Sequence, residues 1–444
     1  MMLVRFVKLV TVLVALCGTS AAQAPGGPLR LSLQDAIVRG LKANLGVLLA
    51  DTRVAEARGT AQRRQSALFP RVRFDAPAAV QSRSLQAMGI TVPGLPDVVG
   101  PFSTYEARVS AEQPVFDLAA VHSVRAARQS QSAAQFDYQD ARDSVVRQIA
   151  ALYLSAQSAH AQAVAAAVRV ESAQALYQLA SDQREAGVAT GIDVLRSQVR
   201  LAGERQGLVQ ARNAASDALL ALARNIGLSP GTAIELADPL SAAPVAVPTA
   251  EAALASALNG RQDYQSLLKQ RDALAEQLRA SRARLLPRLA ASGNYGAIGR
   301  TLSNMNGTGA AQLSLSFTVF DRDRQGEQQE ISARIQRVER QAADLKLGIE
   351  QDIRQALLRL ESATEEVTVA VAGLDLARQE LDLARLRFQS GVTNNIEVVN
   401  AQDSVARAQQ NHILALTRHA DARIVLARAL GNTEATYSQY LGVH

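Results

Sequence analysis

Apolar positions recur along this chain with two alternating periods. From Leu31, the residues Leu33, Ala36, Ile37, Leu41, Leu45, Leu48 and Leu49 keep helical spacing. They predict one helix over about 32–68, with Ser32 as N-cap and Asp35 three residues on, stopped by Pro70. The period then drops to two. Val72, Phe74, Ala76, Ala78 and Val80 alternate with Arg71, Arg73, Asp75 and Gln81, and after a Gly/Pro-rich stretch at 88–101, Tyr105, Ala107, Val109 and Ala111 alternate with Glu106, Arg108, Ser110 and Glu112. This predicts a β-hairpin over about 71–114 with one apolar face and one face carrying charges of both signs.

Residues 117–186 contain neither Pro nor Gly, which predicts a single helix of about 105 Å at 1.5 Å per residue. A break at Gly187-Val188-Ala189-Thr190-Gly191 leads into a shorter helix, 192–226, that ends at Gly227. Four prolines then mark 228–248 as a linker.

The second half repeats the first. Ala253-Leu254 and Pro287-Arg288 stand 217 residues after Ala36-Ile37 and Pro70-Arg71. Strands around 289–295 and 313–319 flank a Gly/Asn-rich loop, 299–309, and predict a second hairpin over about 288–319. From Val319-Phe320-Asp321, which matches Val115-Phe116-Asp117, the offset is 204 and stays so without a gap to Gly431. A long helix over 321–390, a break at Gly391-Val392-Thr393-Asn394-Asn395 and a short helix over 396–430 follow. In the long helix Ile331, Ile335, Val338, Ala342, Leu345, Ile349, Ile353, Leu357 and Leu360 form a coiled-coil stripe. The chain thus divides into a first repeat at 23–227, a linker, a second repeat at 249–431 and a tail at 432–444. In each repeat the two shorter helices together match the length of the long one, so they can stack end to end along it.

Composition narrows the class. Arg5 and Lys8 precede an apolar run, Leu9 to Leu16, and small residues, the layout of a secretory signal peptide with cleavage after Ala22. Cys17 is the single cysteine, and Leu16 before it is not the small residue a lipidation site takes. The mature chain therefore holds together without disulfides. Aromatic content is 4% with no Trp, which describes long helices packed through small residues. The formal charge of +6 is spread among alternating Arg, Glu and Asp with no basic block, so nucleic acid is not an expected partner. No other stretch approaches the roughly 20 apolar residues of a membrane helix, so any insertion uses strands.

The paired Pro-Val-Phe-Asp (114–117) and Thr-Val-Phe-Asp (318–321), the two Gly-Val turns followed by Asp193-Val194-Leu195 and Glu397-Val398-Val399, Gln198 and Gln402, and the doubled helix-hairpin-helix-helix order resemble the TolC-like outer-membrane efflux proteins. The resemblance covers nearly the whole mature chain. It implies a mainly α protein with a small β part, in which long antiparallel helices form a periplasmic α-barrel and four strands per protomer enter a trimeric 12-stranded β-barrel in outer-membrane lipid. It also implies a passive, cofactor-free exit channel working with a periplasmic adaptor and an inner-membrane pump of RND, ABC or MFS type. Two alternatives stand beside it: a duct for type I protein secretion, and a periplasmic coiled-coil scaffold, which would have no use for two-faced hairpins. The substrate class, whether drug, metal ion or polypeptide, is left open.

By the same resemblance, Gly187, Val188, Ala189, Thr190, Gly191, Gly391, Val392, Thr393, Asn394 and Asn395 sit at the periplasmic tip, where the adaptor docks. The two glycines also read simply as helix C-caps. Asp193 and Glu397 suit a helix N-terminus, and with Phe388 and Asn400 they occupy the entrance; Asn400 stands where some relatives carry a second acid, which argues against a strongly acidic constriction. Phe388 reads equally as helix packing. Arg71, Arg73, Glu106, Arg108, Glu112, Gln312, Ser314 and Ser316 are expected to line the barrel lumen. His412 and His419 lie two turns apart, about 10 Å and too far for one metal, and read as solvent-facing. No arrangement of residues suggests catalysis.

Overall fold

The computed structural model describes residues 28–89, 93–94, 96–242, 247–390, 392–393, 395–431 and 433–441. The expected leader, 1–22, lies outside them, as do Gly391 and Asn394 of the second turn.

Two helices dominate, α3 (Leu118–Glu185) of 68 residues and α7 (Asp323–Gln389) of 67. Asp117 starts α3 by accepting the Ala120 N–H at 2.9 Å. Each long helix folds back on a shorter one, α4 (Gly191–Asn225) or α8 (Asn395–Leu430). Ahead of each lies a pair: α1 (Leu33–Ala43) with α2 (Leu45–Gln65), and α5 (Ala250–Gly260) with α6 (Gln262–Ala283).

The expected continuous helix at 32–68 is therefore broken. Asn44 adopts an extended backbone (φ −69°, ψ 125°), and its side chain caps α2 by accepting the Gly46 N–H at 2.8 Å. Asn is a good N-cap and a poor helix interior, but apolar spacing runs through it unchanged and hides the break. The break recurs 217 residues later at Arg261 (φ −75°, ψ 115°), so the duplication extends to a kink that no repeated residue type marks.

The strands β2 (Arg71–Asp75), β3 (Ala78–Ser84), β4 (Val98–Phe116), β6 (Arg288–Gly299) and β7 (Met305–Ser316) form one antiparallel sheet. β2 and β3 are one strand interrupted at 76–77: both pair with β4, and Pro77, lacking an N–H, still accepts the Glu106 N–H at 3.0 Å. The order is β2/β3, β4, β6, β7, leaving β2/β3 and β7 as edges.

Three strand limits differ from expectation. β4 begins inside the stretch read as a loop at 88–101, β7 begins inside the loop read at 299–309, and β7 ends before Phe317 despite the clean alternation to Val319. The glycines of 299–309 are strand residues here. A Cβ on Gly309 would lie 3.1 Å from the Tyr295 ring, so the glycine makes room for an aromatic on the neighbouring strand.

The linker 228–248 also carries structure. β5 (Ile234–Leu236) pairs in parallel with β1 (Leu29–Leu31), and Asp238 accepts the Leu33 N–H at 2.7 Å and lies 3.0 Å from the Tyr153 hydroxyl. The tail contains α9 (Thr433–Leu441), held to α3 by Arg142 pairing with Glu434 and by the Glu434 N–H donating to Asp143 at 2.8 Å.

Three apolar clusters hold the helices. One gathers Ile37, Ile149, Tyr153 and Leu222, a second Ala253, Ile349, Ile353 and Leu426, and a third, at the fold-back end, Leu176, Leu381, Phe388 and Val398. Ile149 and Ile353, 204 residues apart, centre the first two. The stripe from Ile331 to Leu360 is buried or half-buried throughout. The fold is mainly α with a small β part and is internally duplicated. Among the described residues no helix is long and apolar enough to cross a membrane.

Candidate functional site

Strand register decides what the sheet can do. Arg71 pairs with Glu112, Arg73 with Ser110 and Asp75 with Arg108; across β4 and β6, Glu112 pairs with Ser292, Ser110 with Asn294 and Arg108 with Gly296; and Ser292, Ala290 and Arg288 pair with Gln312, Ser314 and Ser316. Because directly paired residues share a face and alternate residues return to it, all eight residues expected in the lumen lie on one face of the sheet. The opposite face carries Val72, Phe74, Val109, Tyr295, Leu313 and Leu315, every one exposed.

Arg108 organises the polar face. It pairs with Glu106 on its own strand, donates to the Asn294 side chain on β6 and reaches the Thr308 hydroxyl on β7 at 2.9 Å. Asn294 and Thr308 are polar-face residues that sequence reasoning missed. Both stand among glycines, which blurred the two-residue alternation.

The two fold-back turns share a backbone design. Gly187 takes φ +74°; its N–H donates to the Arg184 carbonyl at 3.0 Å and the Val188 N–H to the Gln183 carbonyl at 2.8 Å, the Schellman pattern that closes a helix end. In the second turn the Val392 N–H donates to the Arg387 carbonyl at 3.0 Å, the same six-to-one bond. Gly391 and Asn394 lie outside the described residues, and of Asn395 only the backbone is described. At each apex a valine stands in solvent, Val188 72% and Val392 68% exposed.

Beyond the turns the copies diverge. Asp193 receives the Thr190 N–H at 3.2 Å and its hydroxyl at 2.5 Å, a local cap. Glu397 instead receives Arg387 at 2.7 Å and the Thr393 hydroxyl, so its carboxylate is committed to its own hairpin. Phe388 is buried against Leu176, Leu381, Ala384 and Val398, the packing half of its two readings; Asn400 is exposed.

An electrostatic link joins the hairpins. Arg200 on α4 pairs with Asp403 on α8 and with Glu204 at 2.9 Å, and Glu204 pairs with Arg169 on α3 at 3.1 Å. The sequence gives no sign of it, because charges on helix faces acquire partners only once the helices are placed. Beside it, Ile192, Leu195, Val199, Ile396 and Val399 line an open apolar recess of about 500 Å³ between the starts of α4 and α8.

The histidine expectation needs correction. His419 is buried, with its imidazole held below the ordinary value first by desolvation and then by the charge of Arg423. Arg423 is itself only 2% exposed, and its Nε and one terminal nitrogen have no partner. Helix period placed His419 on a face but could not say that the fold buries that face. Among the described residues no three His, Cys, Asp or Glu side chains gather as metal ligands.

A family model described as outer membrane efflux protein matches residues 37–228 and 253–432. The chain is similar to protein CyaE of Bordetella pertussis, 27% identical over 318 residues that span 70% of this chain and 66%, just under two thirds, of that protein. It is also similar to the pyoverdine export outer membrane protein OpmQ of Pseudomonas putida, 23% identical over 89% of this chain and 84% of that one. Among solved structures, the outer membrane protein VceC of Vibrio cholerae superposes with a TM-score of 0.77 at 19% identity, covering 90% of this chain and 96% of that one.

Proposed function

Since the chain belongs to the outer membrane efflux protein family, we propose that it is a passive exit channel of a tripartite export system. The observation that carries this is the two-faced sheet with two open edges. Four strands cannot close a barrel, and lipid does not tolerate an open edge. Three copies joined edge to edge, β7 of one to β2/β3 of the next, close twelve strands with Val72, Phe74, Leu313 and Leu315 toward lipid and the Arg108 network toward water. The long helices then continue the duct into the periplasm.

The fold-back turns suit a docking rim. Two turns per chain in a trimer make six points of one backbone design, each presenting an exposed valine. A periplasmic adaptor that covers Val188 and Val392 would link this rim to an inner-membrane pump, which supplies the energy.

The test is the oligomeric state and conductance of the protein extracted from outer membranes. A detergent-dependent trimer that conducts ions in a planar bilayer is expected. A protein that stays monodisperse without detergent, or that never conducts, overturns the reading.

A further inference from the structure

The internal duplication specifies which side chains meet between neighbouring subunits. Within one chain α3 packs against α6 and α8, whereas α7, its counterpart, makes no comparable packing against α2 and α4, the counterparts of those partners. One long helix has both flanks covered and the other has one flank bare. We infer that a second copy of this chain covers the bare flank of α7 with its α2 and α4, in the register that α6 and α8 use on α3, so that Arg224 of one copy pairs with Asp344 of the next. The inference rests on the trimer proposed above and adds its side-chain contacts.

Two observations support this register. Arg428 on α8 pairs with Asp140 on α3 at 2.5 Å. Shifting both by 204 residues gives Arg224 on α4 and Asp344 on α7, an arginine and an aspartate again, both exposed and without an ion pair among the described residues. The repeat has kept both halves of a charge pair whose partners do not meet within one chain. The same shift carries Ile424 and Leu154, buried in one cluster, onto Leu220 and Leu358, which are 46% and 62% exposed. Large apolar side chains left in solvent at the positions equivalent to a core contact are what an unmade interface looks like.

The two seams are not identical. His122 of α3 meets Glu276 of α6 at 2.7 Å, and the corresponding positions are Gly326 and Gly59, neither with any atom within 4 Å of where its Cβ would be. Paired glycines let α7 and α2 of the next copy approach more closely there.

The experiment uses the protein as exported to outer membranes; Cys17, the single cysteine, lies in the expected leader, and a parent sample that does not react with maleimide confirms that introduced thiols are the only ones. Arg224→Cys together with Asp344→Cys, treated with a short bis-maleimide, is expected to give covalent dimers and trimers on a denaturing gel, and either single variant none. In parallel, Arg224→Asp should lower the temperature at which the trimer dissociates, and Arg224→Asp with Asp344→Arg should restore it. A protein that is trimeric by mass, with both cysteines reactive toward a monofunctional maleimide yet no crosslinked species, overturns this register and leaves the trimer standing. A monomer overturns both.

Discussion

Arg200 on α4 and Asp403 on α8 form an ion pair across the two fold-back hairpins, and Arg200 and Glu204 extend it to Arg169 on α3. Three helices near the fold-back turns are thus tied by alternating charges. The Arg200 and Asp403 side chains are 23% and 35% exposed, so the pair is worth at most about 1 kcal/mol to the fold. Asp403→Asn should therefore leave the melting temperature nearly unchanged while loosening α8 from α4, raising single-channel conductance. Exchanging the charges, Arg200→Asp with Asp403→Arg, should bring conductance back down. If this end is the entrance of the proposed channel, conductance equal to the parent in Asp403→Asn would show that the pair does not hold it closed.

Two glycines with the same left-handed backbone predict different costs. Gly187 at φ +74° has nothing within 4 Å of a added Cβ, so Gly187→Ala pays conformational strain alone, about 1–2 kcal/mol. Gly431 at φ +84° lies against α5, where a Cβ would come within 2.6 Å of the Gly260 backbone. Gly431→Ala adds an overlap that backbone must relieve. Thermal unfolding should show Gly431→Ala as clearly the more destabilised of the two, and equal melting points would refute the difference.

On β7, Gln312 and Leu313 are neighbours on opposite faces. If the sheet closes as proposed, Leu313→Lys places a charge in lipid at a cost of about 2–4 kcal/mol near the midplane, and Gln312→Lys places one in the aqueous lumen. The first should reduce the trimer recovered from outer membranes; the second should leave assembly intact and change the ratio of cation to anion permeability. Equal recovery of both variants would count against the assigned faces.

Fold class and duplication were legible because they rest on period and spacing. The 204-residue offset aligned both long helices and both turns, and alternation named the polar face correctly wherever side chains filled it. What was hidden has physical reasons. Asn44 and Arg261 break helices whose apolar stripes run on unchanged. Gly307 and Gly309 read as loop although they are strand residues that make room for Tyr295. Arg200 with Asp403, and the burial of His419, depend on which helices become neighbours, and a helical period carries no information about that.

Within α8, His419 and Arg423 place two basic groups in the interior, and among the described residues no carboxylate pairs with either. Burial holds the His419 imidazole below its ordinary value of 6.5, and Arg423 adds to the effect; Arg423 is lowered by burial as well. The folded chain thus keeps His419 neutral at pH values where the unfolded chain protonates it. The unfolded state then binds more protons, and stability declines as pH falls below about 6.5, levelling off once the folded-state value is passed. His419→Leu should flatten this part of the stability curve. Arg423 has a simpler remedy inside the molecule: the equivalent residue of the first repeat, 204 positions earlier, is Leu219, packed against a core cluster. Arg423→Leu removes a buried charge with unsatisfied nitrogens and should stabilise the chain by roughly 1–4 kcal/mol. It should also raise the His419 value, which NMR titration of the imidazole can follow. A destabilised Arg423→Leu protein would mean that the guanidinium is satisfied in the assembled trimer by groups that one chain does not supply.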